Sequence, residues 1–172
     1  MSHSAYWRII LAIKLIQTGG TIDKQYNVSN GSLYFTKSSL ANMLQQGRCT
    51  LDIKFHLLNL VDSLEITTDY REQIVAVCES SEEEQIIIAH GTDTMAATAQ
   101  AIAQTVKNKT IVLFGAMIPF SINYSDALFN LGAAVTAVQC KTRGVYICMN
   151  GQVFDADNVI KNLDKGKFEV LK

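Results

Sequence analysis

A chain of 172 residues that is 48% hydrophobic and 18% charged can bury a core of ordinary domain size, which excludes a disordered or low-complexity protein. A formal net charge of −1 with no basic stripe excludes a nucleic-acid footprint. No apolar stretch is long enough to span a bilayer. Lys14 interrupts the amino-terminal run WRIILAIKLIQ and no small-residue cleavage site follows it, so a signal peptide is not expected either. The four cysteines form no C-x-x-C pair, and the three histidines are scattered. That pattern predicts free thiols in a reduced, cytoplasmic setting, with no metal and no cofactor.

The elements alternate. Ile9–Gln17 is rich in Ile and Leu and reads as a buried strand. Ser38–Gln46 has helical spacing at Leu40, Met43 and Leu44 and stops at Gly47. Leu51–Leu58 alternates weakly and reads as a strand, with Leu51, Ile53, Phe55 and Leu57 on one face. Asp69–Glu79 reads as a helix that Thr67 or Thr68 caps. Gln85–Ala89 is a short apolar strand, and Thr94–Lys107 is an Ala-rich helix. Thr110–Ala116 is a third buried strand of this kind. A helix over Ser125–Gln139 opens on Ser125-Asp126, which suits the positive end of its dipole. Gly144–Met149 is a strand, and Asn150-Gly151 turns it back into Gln152–Phe154. Strand–helix alternation implies right-handed βαβ crossovers. The expected architecture is α/β: three layers, a mainly parallel sheet with helices on both faces, and a short antiparallel hairpin near the carboxyl end. With no linker, repeat or biased segment, one domain over residues 1–172 is expected.

Ligands in open α/β sheets bind beyond the carboxyl ends of the strands. The segments that follow the strands are Thr18-Gly19-Gly20-Thr21, Asp62-Ser63-Leu64-Glu65, His90-Gly91-Thr92-Asp93-Thr94 and Gly115-Ala116-Met117-Ile118-Pro119. Two of them set Gly beside Thr, and one adds a carboxylate. Hydroxyls and a carboxylate in a Gly-lined turn fit an amino-acid-like ligand, and a hydroxyl nucleophile needs a nearby base. Local sequence leaves other roles open: Thr92 or Asp93 as a helix cap, His90 as a structural histidine, TGGT as a tight turn. No G-x-G-x-x-G, P-loop or G-x-S-x-G occurs.

TGGTI after the first strand, HGTDTM after the third, GAM-x-P after the fourth and MNG near the end occur in the order found in L-asparaginases. From about Ile9 to Phe168 the chain resembles the amino-terminal domain of that family. The resemblance implies a flavodoxin-like fold and hydrolysis of the side-chain amide of L-asparagine, with glutamine as the alternative, to the acid and ammonia. It implies Thr21 as the nucleophile, assisted by Tyr26 on a loop where Tyr34 is the second candidate. Ser63 would hold the substrate α-carboxylate, and Asp93 the α-ammonium. Lys161 would complete a Thr-Asp-Lys group with Thr92 and Asp93, while Gly20, Asp62 and Gly91 line the substrate. A homo-oligomer, dimer or tetramer, is implied, because the family's sites lie at subunit contacts; Ile118 and Phe120, placed on an exposed turn, would suit such a contact. The chain departs from the pattern at Ile118, where a basic residue is frequent, and at Leu64, where a polar one is. No segment corresponds to the family's smaller carboxyl-terminal domain. Two further readings stay open: a binding module for aspartate- or asparagine-like ligands, and one component or fragment of a larger amidotransferase or asparaginase.

Overall fold

The computed structural model of the chain describes residues 12–171. Its centre is a six-stranded sheet built from β1 (Ile13–Gly19), β4 (Ile53–Val61), β5 (Gln85–Ala89), β6 (Thr110–Phe114), β7 (Gly144–Met149) and β8 (Gln152–Asp155), in the order β4-β1-β5-β6-β7-β8. Four pairings are parallel, and only β7–β8 is antiparallel. Asn150 (φ 55) and Gly151 (φ 75) make the tight turn between those two strands. The helices are α1 (Leu40–Gln46), α2 (Thr68–Ser80), α3 (Met95–Thr105) and α4 (Ala127–Cys140).

Two apolar clusters explain the three layers. On one face Leu15, Ile87, Val112, Phe114 and Cys148 pack under α1 and α4. On the other, Ile16, Ile86, Ile88, Leu113 and Ile147 pack under α2 and α3. Successive strand side chains point to opposite faces, so a central strand with helices above and below must be apolar throughout. The runs QIIIA and TIVLF meet that demand. β4 is an edge strand, and there its alternation loses its cover: Ile53 packs against the core, while Phe55 and Leu57 are 46% and 59% exposed.

Several expectations shift. Among the described residues the first strand begins at Ile13, and the expected start at Ile9 lies, with residues 10 and 11, outside them. It also runs further, to Gly19, through an irregularity in its pairing with β4 between Gln17 and Gly19. Phe120 lies on the turn but is only half-buried: its ring packs against the α1–α4 cluster, and its N–H donates to the Ile22 carbonyl at 3.1 Å. Ile118 stays 37% exposed.

Two small hairpins add to the expected elements, and neither has an apolar signature in the sequence. β2 (Lys24–Tyr26) pairs with β3 (Leu33–Phe35), and β9 (Ile160–Asn162) with β10 (Lys167–Glu169). Asp23 clasps the neck of the first: its Oδ1 accepts the Ser39 N–H at 2.6 Å and the Ser38 hydroxyl at 3.2 Å. Burial pushes the Asp23 carboxyl above its ordinary range, against the lowering effect of those donors. In the second hairpin Phe168 is buried, and its N–H donates to Asn150 Oδ1 at 2.9 Å. This fixes β10 and, through the register Phe168↔Lys161, fixes β9.

The sheet core sets the stability. Ile87 is fully buried in a central strand, whereas Phe55 lies on the uncovered part of the edge. Ile87→Ala is expected to cost about 2–5 kcal/mol in urea unfolding and Phe55→Ala less than about 1.5 kcal/mol.

Candidate active site

The first turn is shaped by glycine. Gly19 and Gly20 have φ of 92° and 88°, a region L side chains rarely adopt. A Cβ on Gly20 would sit 2.4 Å from Gly91 Cα, and one on Gly91 would sit 2.6 Å from Ser63 Cβ. Both distances are far inside contact, so the loops after β1, β4 and β5 touch at places where no side chain fits. Gly20 N–H donates to Val61 O at 2.9 Å, and Thr18 Oγ1 donates to Ala89 O at 2.8 Å. The three loops are thereby fastened at the carboxyl ends of their strands.

Thr92 and Asp93 occupy the turn into α3 without capping it. The N-cap of α3 is Thr94, whose side chain makes no capping bond. Thr92 is 5% exposed. Lys161, carried in by β9, donates to Thr92 Oγ1 at 2.7 Å and to Asp93 Oδ1 at 2.6 Å. Its side chain is 15% exposed and that of Asp93 35%, so the pair sits at a partly screened rim. Ser63 is tied to the same turn: its Oγ accepts the Asp93 N–H at 3.2 Å, and its carbonyl accepts from Thr94 Oγ1 at 2.8 Å. The Ser63 hydroxyl proton and Asp93 Oδ2 have no partner among the described residues.

The remaining expected residues are placed differently. Thr21 begins a single 3-10 turn, Thr21–Asp23, between two buried residues, Gly20 and Ile22, and its hydroxyl has no hydrogen-bond partner among the described residues. Tyr26 is on β2, about half exposed, and its hydroxyl lies 3.8 Å from a Cβ placed on Gly31 at the hairpin tip. No hydrogen bond joins Tyr26 or Tyr34 to Thr21; Tyr34 pairs across the hairpin with Gln25. Asp62 is engaged by the protein itself: Oδ1 accepts the Leu64 N–H at 3.1 Å and Oδ2 is ion-paired with Lys24. The Lys24 hydrogen bond, aided by the more distant charge of Lys161, holds the Asp62 carboxyl below the usual range.

Three contributors lie beyond sequence reasoning. Lys24 ties the hairpin to the Ser63 loop, Met117 lies 3.8 Å from Thr92 Oγ1, and Asp126 accepts from the Met117 and Ile118 N–H groups. Met117 stands in the GAM-x-P motif and Asp126 at the mouth of the following helix, but neither position signals these contacts in the sequence.

The chain as a whole is similar to known proteins. The family described as "Asparaginase, N-terminal" matches residues 12–166. A glutamyl-tRNA(Gln) amidotransferase component from Methanococcus vannielii is 31% identical over 160 residues, covering 90% of this chain and 37% of that protein. The same component from Methanococcus maripaludis strain C5 is 32% identical over 149 residues, with 83% and 36% covered. The L-asparaginase structure from Thermococcus kodakarensis superposes with a TM-score of 0.80 at 25% identity, covering 93% of this chain and 51% of that one. The chain belongs to the asparaginase family and corresponds to its amino-terminal domain. It spans little more than a third of those amidotransferase components and about half of that asparaginase.

His90 follows β5 beneath this turn, fully buried, with Nδ1 2.7 Å from Gly91 O and Nε2 without a partner among the described residues. Desolvation pushes its pKa down from 6.5 to about 4, against the raising effect of the Gly91 carbonyl. Between those two values only the unfolded chain takes up this proton, so the stability present above pH 6.5 is lost as the pH falls towards 4. The urea midpoint is expected to drop from pH 7 to pH 5, and the drop to shrink in His90→Asn.

Proposed function

We propose that the chain is an asparaginase-like amidohydrolase, cytoplasmic and homo-oligomeric, that cleaves the side-chain amide of L-asparagine or L-glutamine by a threonine nucleophile. The observation that carries this reading is the reach of Lys161 across the sheet edge to both Thr92 and Asp93. A capping turn needs neither the lysine nor the buried hydroxyl.

The roles follow from the unfilled valences. Asp93 Oδ2 accepts the substrate α-ammonium, and the Ser63 hydroxyl donates to the α-carboxylate. Gly20 and Gly91 let the loops close on one another, and backbone N–H groups at these turns meet the developing oxyanion. Thr21 attacks the side-chain carbonyl, the C–N bond breaks, and the amide leaves as ammonia once protonated. Water then hydrolyses the threonyl ester to the acid. Thr92, with its oxygen held by Lys161, orients the substrate and then the water. A threonine hydroxyl attacks only if its proton is accepted. Tyr26 can serve only after the β2–β3 hairpin rearranges, because its phenol lies at the hairpin tip.

The second reading, one component or fragment of a larger amidotransferase, is favoured by the amidotransferase relatives and by the third of their length that the chain spans.

Ammonia release from a panel of amides tests both readings. Thr21→Val preserves shape without the hydroxyl and is expected to lower turnover at least about a hundredfold at unchanged Tm. Thr92→Val should lose a comparable factor and Tyr26→Phe less. Undiminished activity in folded Thr21→Val overturns the nucleophile. A parent inactive on every amide but stabilised by aspartate is instead a binding module.

A further inference from the structure

The loop between β6 and α4 presents to Thr92 a side chain that the roles above do not use. Lys161 is an ammonium and only donates, so Thr92 Oγ1 is the acceptor in their 2.7 Å bond. The Thr92 hydroxyl must send its own proton elsewhere. Within reach is the Met117 sulfur, 3.8 Å away. This placement is built rather than incidental. The Asp126 carboxylate accepts the Met117 N–H at 3.0 and 3.1 Å, the Ile118 N–H at 3.0 Å and Asn130 Nδ2 at 2.8 Å. Asn130, nearly fully buried, also donates to Gly115 O at 3.0 Å. From the other side, a Cβ on Gly115 would meet His90 O at 2.4 Å and Thr92 Cγ2 at 3.3 Å, so the two strand ends are pressed together.

We propose that Met117 is a positioning residue for Thr92, holding the hydroxyl proton on a deliberately weak acceptor, and that Asp126 sets the sulfur in place. A thioether accepts a hydrogen bond weakly. The hydroxyl is therefore oriented before a ligand arrives, yet an incoming carbonyl, carboxylate or water oxygen takes the proton over at little cost. A carboxamide in the same place would hold that proton too firmly. For its catalytic consequence the inference rests on the amidohydrolase reading; the contact itself does not.

The test uses the full chain labelled with methyl-13C methionine, with the Met117 signal assigned from Met117→Leu. Thr92→Val is expected to move that signal and Thr92→Ser to leave it in place; no movement in Thr92→Val, or equal movement in both, overturns the contact. In ammonia release Met117→Leu should lower kcat roughly threefold to tenfold with KM unchanged, the scale of one neutral hydrogen bond, and Met117→Gln should lose more. Equal losses in both variants with a matching fall in Tm mark packing and overturn the positioning role. A methyl signal that responds to Thr92→Val alone, in a protein that releases no ammonia, supports the contact and overturns the hydrolase reading instead.

Discussion

Backbone lies against backbone where Gly20 meets Gly91, and the rest of the site depends on that approach. β1 and β5 are neighbours in the sheet, but their loops would splay if either carried a side chain there, since a Cβ on Gly20 would stand 2.4 Å from its neighbour's Cα. With both positions bare, Thr21 emerges one residue from the crossing on one loop, and Thr92 one residue from it on the other. Gly91 then does the same for the third loop, letting Ser63 close on it. A single steric condition thus assembles groups from three βα turns at the carboxyl edge, where the parallel sheet already aims its loops.

The charges act on orientation rather than on stability. Asp93 and Lys161 are partly solvated, and a pair in that setting contributes about 0–1 kcal/mol. The same holds for Lys24 and Asp62. What such pairs do well is fix atoms. Lys161 divides its donors between a carboxylate and a hydroxyl, so the position of Thr92 Oγ1 is bound to the position of Asp93. Asp62, consumed by Lys24 and the Leu64 N–H, is a brace for the Ser63 loop. The larger energy lies beneath, in Thr92 and His90, which are nearly or fully out of water. Burying polar groups is costly unless they are paired, which makes the neutral His90 ring and its bond to Gly91 O the stable choice.

The legible part of the fold is the part made by apolar runs. QIIIA and TIVLF can be little else than central parallel strands, and Leu40, Met43 and Leu44 sit at helical spacing and are buried. The hairpins β2–β3 and β9–β10 are illegible because three-residue strands with mixed polarity carry no period; they are set by tertiary clasps at Asp23 and Asn150. Phe120 departs from expectation for a related reason: apolarity on a turn says nothing about which way the ring points, and here it packs inward against the α1–α4 cluster. In the site, the motifs single out Thr92, Asp93 and Lys161, and Lys161 hydrogen-bonds to both of the others. The contacts of Lys24, Met117 and Asp126 are not legible, since Lys24 reaches a carboxylate 38 residues away, Met117 acts on Thr92 through sulfur, and Asp126 acts through backbone N–H groups of the preceding loop.

The arrangement has one internal tension. Electrostatic stabilisation of an oxyanion gains most where water is excluded and the dielectric is low. Here Leu64, next to the Ser63 hydroxyl, is 74% exposed, Tyr26 is 55% exposed, and Ile118, next to Met117, is 37% exposed. Those apolar side chains frame a site whose hydroxyls are set but whose mouth faces solvent. If Thr21 is a nucleophile, the missing contribution is enclosure, because its neighbours already supply position. On the proposed reading, closure of the β2–β3 hairpin would supply part of it by carrying Tyr26 inward, and a second copy of the chain over Leu64 and Ile118 would supply the rest. Catalysis and association are then one problem on that reading: covering these exposed apolar side chains would also dry the reacting groups.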